Sequence, residues 1–135
     1  KSESFGMIAD LRGAARNIVR GVHAANETNF MERPEERLVE IKDVIDECNL
    51  MLQLVALSND LGYADIKRVE TWTGKILDVK RMCLAWMKKD GERAKKILAG
   101  KDREKLSAII ALVRDIMAAE AEGKAKTMDT ARRQP

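Results

Sequence analysis

Apolar residues recur along most of this chain at alternating steps of three and four, the spacing that lines one side of an α-helix. The first run, Ile8, Leu11, Ala15, Ile18, Val22 and Ala25, predicts a long amphipathic helix that turn-forming residues interrupt from Asn26 to Phe30. Gly13 and Gly21 fall off this seam, and each costs about 1 kcal/mol against Ala in a helix interior. Close packing is expected at both, a locally weak helix being the alternative.

Pro34 suits the first position of a second helix, and Glu35 and Glu36 suit the positive end of its dipole. Leu38, Ile41, Ile45, Cys48, Leu52 and Val55 form the seam. Leu50, Met51, Leu54 and Leu57 widen it, so the C-terminal half is expected to be buried on more than one side, with Gly62 past its end.

Asp65 can cap a third helix, whose inward face runs through Ile66, Val69, Thr73, Ile76, Val79, Cys83 and Trp86 or Met87. Asp90-Gly91 is expected to close it, leaving Glu92 to Lys101 as a Lys-rich connector with about two helical turns. Asp102 can cap a fourth helix carrying Leu106, Ile109, Ile110, Val113, Ile116 and Met117 as far as Gly123. Residues 123–135 show no apolar repeat and read as a flexible basic tail. The expected fold is all-α: one domain over residues 1–122, an antiparallel up-down-up-down four-helix bundle with short connections.

Composition agrees, since aromatics are scarce at 4%, charged residues reach 35% and the 45% apolar content of 135 residues suffices for a core without staples. Cys48 and Cys83 lie far apart without metal-ligand spacing and read as buried thiols. No apolar stretch is long enough to span a bilayer, and the opening Lys1-Ser2-Glu3-Ser4-Phe5 does not have the form of a signal peptide. The expected compartment is the cytoplasm, and from an opening on Lys instead of Met a missing native beginning is an expectation.

Little points to chemistry. The one histidine, His23, has Arg20 three positions before it, so the Glu-x-x-His pattern of di-metal bundles is missing and a surface histidine is the plainer reading. No nucleophile motif and no glycine-rich phosphate loop is recognisable. The expectation is a binding protein that is not an enzyme, with no cofactor and no metal.

Charge is more informative in its distribution than in its total of +3. Arg12, Arg16 and Arg20 recur every fourth position and form one ridge of the first helix, and their planar donor forks suit phosphate. Lys67, Arg68, Lys75, Lys80, Arg81, Lys88 and Lys89 add cations along the third. The bland reading is solvated charge; the sharper one is phosphate-backbone binding, although no aromatic interleaving marks a base-stacking platform in the sequence. Glu35, Glu36, Glu40, Asp43, Asp46 and Glu47 crowd the start of the second helix, as a solvated face or as a dock for a basic partner. Trp86 reads as core, and Trp72, between Thr71 and Thr73, reads as a subunit or partner contact.

The segments Lys1 to Phe5, Ile8-Ala9-Asp10-Leu11-Arg12-Gly13-Ala14-Ala15-Arg16-Asn17-Ile18, Leu38-Val39-Glu40-Ile41, Leu50 to Leu57 and Asp60-Leu61-Gly62-Tyr63 together resemble a four-helix-bundle family. It comprises the proteins encoded in intervening sequences of 23S ribosomal RNA genes and the accessory variability determinants of diversity-generating retroelements. The stretch Ile76 to Lys89 looks more like the second branch. That resemblance covers Lys1 to about Lys89 and implies a homo-oligomer, a barrel-shaped pentamer, that binds a reverse transcriptase and its template RNA, and by extension the cDNA. The basic residues named above would then be the binding surface. The first branch implies a structural or protein-interaction bundle with no RNA role. In the family a helix precedes the Lys1 to Phe5 segment, whereas here a helix follows the usual last one, so the C-terminal helix is expected to take the slot of the family's first, the alternative being a truncated chain whose extra helix packs elsewhere or on another subunit.

Overall fold

A computed structural model describes the backbone of residues 2–133 and the side chains of residues 6–123. It is all-α, with helices α1 (Ser2–Glu27), α2 (Pro34–Asp60), α3 (Ile66–Leu98) and α4 (Arg103–Arg133), and no strand among the described residues. Contacts cluster into two compact units, Lys1–Trp86 and Met87–Pro135.

Local chemistry explains most of the boundaries. Pro34 opens α2, where its missing N–H is no loss, and Glu35 and Glu36 follow in the first turn. α2 ends in a Schellman turn: Gly62 takes φ 76°, its N–H donates to the Asn59 carbonyl at 3.0 Å, and the Tyr63 N–H donates to the Ser58 carbonyl at 2.9 Å. The Asp65 carboxylate caps α3 by accepting from the Arg68 N–H at 2.9 Å, and Asp102 does the same for α4 through the Lys105 N–H at 3.0 Å.

In the first unit α1 and α2 pack against each other, with Gly21 of α1 against Val44 of α2. The guanidinium of Arg37 lies 4.9 Å from the Trp86 ring centroid and 5.9 Å from that of Phe30, which ties the start of α2 to α3 and to the α1–α2 loop. The Thr28 hydroxyl reaches both the Ala24 carbonyl and the Glu40 carboxylate, fastening the end of α1 to α2. The core is the α2 seam: Leu38, Ile41, Ile45, Cys48 and Val55 are all buried, joined by Val44. Cys48 and Cys83 are free and buried.

In the second unit, α3 from Met87 onward and α4 form a helical pair with Ile109 and Ile116 buried on α4. Val113 packs over Gly91, where an added Cβ would meet its Cγ2 at 3.5 Å.

Several expectations change, among them Ile66 of the expected inward face of α3, which is exposed. Asp90-Gly91 does not close α3, which continues to Leu98: Gly91 keeps an ordinary helical φ, both residues are buried, and the following Glu, Arg, Ala and Lys are strong helix formers. α4 continues through Gly123 to Arg133, because Ala, Lys, Met and Arg sustain a helix where no apolar repeat demands one. Its residues 124–133 therefore have helical backbone where a tail was expected. Of the residues that widen the α2 seam, Met51 and Leu54 are half-buried, but Leu50 and Leu57 are exposed. Close packing holds at Gly21 but not at Gly13, around which a Cβ would find nothing within 4 Å. In α1 the buried positions are Met7, Ala14 and Ala25, while the expected seam members Ile8 and Val22 stand exposed at its edge.

Candidate nucleic-acid interface

The arginine ridge sits where helical spacing puts it. Arg12, Arg16 and Arg20 are all exposed on α1, each about 6 Å from the next along the axis. Among the described residues none of the three is paired with a carboxylate, so each guanidinium faces solvent with its donor fork available. His23, one turn on, is exposed as well.

The cations of α3 divide. Lys67, Arg68 and Lys75 are exposed in the first unit, with Arg68 Nε 3.8 Å from the Asp65 carboxylate. Arg81 is exposed and donates to Asp78 at 3.2 Å, and Lys80 is half-buried. Lys88 and Lys89 are exposed in the second unit. The structure therefore does not gather these ten residues into one patch of the first unit; it brings Arg12 and Arg68 together and leaves the ridge to continue along α1.

What joins Arg12 to Arg68 is a groove of about 400 Å³ between α1 and α3, floored by Met51 and Val55 of α2. Its walls are Ile8, Leu11 and Ala15 on one side and Trp72 on the other, and Trp72 is half-buried. A second apolar groove, of about 730 Å³, follows between the same helices, with Val19 and Val22 of α1 facing Met82 and Trp86 of α3. Val19 and Met82 remain 69% and 71% exposed, unusual for large apolar side chains on the two sides of one groove.

Sequence reasoning missed that Trp72 shares a groove with Arg12 and Arg68. Its signal was present, since Arg68 and Trp72 are one turn apart on α3, but the third member comes from another helix. Trp86 is a correction of degree: half-buried, it stacks on Arg37 and borders the larger groove at once.

The acidic residues of α2 stay largely at the surface, with Glu35, Glu36, Asp43 and Asp46 exposed and Glu40 and Glu47 half-buried. Lys42 donates to Asp46 at 2.9 Å, and that hydrogen bond holds the Lys42 ammonium pKa above its ordinary value. Burial pushes the Cys83 thiol up. Among the described residues no group of His, Cys, Asp and Glu could hold a metal ion, and no helix is long and apolar enough to cross a membrane. No protein-family model, no curated protein and no solved structure matches this chain.

Proposed function

We propose that this protein is a non-catalytic accessory factor of a diversity-generating retroelement, a homo-oligomer that binds a reverse transcriptase and its template RNA during mutagenic cDNA synthesis in the cytoplasm. The observation that carries the reading is the α1 ridge of Arg12, Arg16 and Arg20, exposed and without a carboxylate partner among the described residues. Three unpaired forks in a row suit a polyanion, because each phosphate contact releases condensed counterions. The family resemblance of residues 1–89 supplies the biological setting.

The test is anisotropy of a labelled structured RNA at low and at near-physiological salt, with an Arg12→Ala/Arg16→Ala/Arg20→Ala variant alongside. Binding should weaken with salt, and loss of three phosphate contacts should flatten the salt slope by about 2–3. Absence of binding at low salt would sink RNA contact by this chain.

A second reading has its own observation. The apolar side left open between α1 and α3 suits a protein partner, as in the intervening-sequence branch with no RNA role. Such an interface would respond little to salt, which separates it from phosphate binding.

A further inference from the structure

We infer that the Trp72 groove holds an unpaired nucleotide, with the base laid against the indole and the flanking phosphates on Arg12 and Arg68, so that the protein prefers single-stranded over duplex RNA. This rests on the RNA-binding reading and goes further, naming the form of RNA and the place where a base docks.

Three features of the groove combine. The half-buried indole of Trp72 lines the groove from α3, and an aromatic ring is what stacking by a base of any sequence requires. The remaining wall and floor are apolar, from Leu11, Ala15, Met51 and Val55, so a base edge entering there displaces water from apolar surface. At about 400 Å³ the groove falls in the size range of sites for small planar ligands.

Charge decides between occupants. Arg12 and Arg68 line the same groove, and the ion pair of Arg68, its Nε 3.8 Å from the Asp65 carboxylate, is exposed and of little strength. Arg12 has no carboxylate partner among the described residues, and Arg16 and Arg20 continue the basic ridge along α1. An apolar slot with a cationic edge complements a chain of flat rings joined by phosphates. A duplex cannot use it, because its bases are stacked inside and the wide, shallow minor groove of A-form RNA presents edges and hydroxyls.

The experiment compares a short fluorescein-labelled oligoadenylate with a fully paired RNA hairpin of equal charge, titrated with the full chain. Trp72→Leu keeps an apolar side chain but removes the flat face, and a thermal melt checks that it folds. Expected is a loss of about tenfold in oligoadenylate affinity with an unchanged salt slope, and no change for the hairpin. In a Trp86→Phe background, where Trp72 is the sole indole, unlabelled oligoadenylate should quench the fluorescence, a readout that needs no Trp72 variant. If oligoadenylate binds with normal salt dependence yet neither the Leu variant nor the fluorescence responds, the groove assignment falls while the RNA reading stands. If neither RNA binds the wild type, the RNA reading itself falls and takes the assignment with it. If Trp72→Leu weakens self-association in sedimentation and leaves RNA affinity intact, the groove belongs to a protein surface and the proposal is overturned.

Discussion

Replacing Gly21 by Ala would drive a methyl group into Val44. The new Cβ would lie 2.6 Å from Val44 Cγ2, where carbon atoms in contact ordinarily sit about 3.5–4.0 Å apart, so roughly 1 Å must be found. Val44 is only 1% exposed and, being β-branched in a helix, is held to one rotamer. Overpacking of this kind costs about 1–3 kcal/mol, against a gain of about 1 kcal/mol from exchanging Gly for Ala inside α1. The net expectation runs from neutral to about 2 kcal/mol destabilising. Gly13→Ala, on the same helix, meets nothing within 4 Å and should realise the whole gain of about 1 kcal/mol. Both tryptophans belong to the same compact unit as the two glycines, so urea unfolding followed by Trp fluorescence reports the right transition. Trimming the obstruction in Gly21→Ala/Val44→Ala should reveal a favourable coupling of about 1–3 kcal/mol in the double-mutant cycle. Equal stabilisation by Gly13→Ala and Gly21→Ala would refute the close approach of α1 and α2.

Leu38→Ala empties a fully buried position of the α2 seam and should cost about 2–5 kcal/mol by the same denaturation assay. Thr28→Val removes the hydroxyl that joins the end of α1 to Glu40 and should cost about 1 kcal/mol; an unchanged urea midpoint would show the clasp to be idle. The Cys83 thiol, raised by burial, favours its neutral form when folded. Its contribution to stability is therefore full below the unfolded value and is lost as pH rises beyond about 9, so Cys83→Ala should flatten the alkaline decline of the melting temperature.

Local signals in the chain settled the helices and most of their ends. The α2 seam, Pro34 at its start, Gly62 after its end and the capping aspartates Asp65 and Asp102 all sit as the spacing predicts, because each acts within a turn or two of its own position. The same logic erred at Asp90-Gly91 and after Gly123, where a glycine or a missing apolar repeat was read as an end. An apolar repeat reports burial, and helix propensity continues without it. The exposure of the arginine ridge was equally legible, since residues four apart on one helix share a face.

Packing between helices decided the rest. Periodicity gives a helix an apolar stripe but does not say how far it turns toward each neighbour. So α1 buries Met7, Ala14 and Ala25 while Ile8 and Val22 stay at the mouth of a groove. Gly13 and Gly21 look alike in sequence, and only the position of Val44 tells them apart. Arg12, Arg68 and Trp72 come together because α1 and α3 line one groove with Met51 and Val55 of α2, a relation between residues more than fifty positions apart that no local pattern encodes.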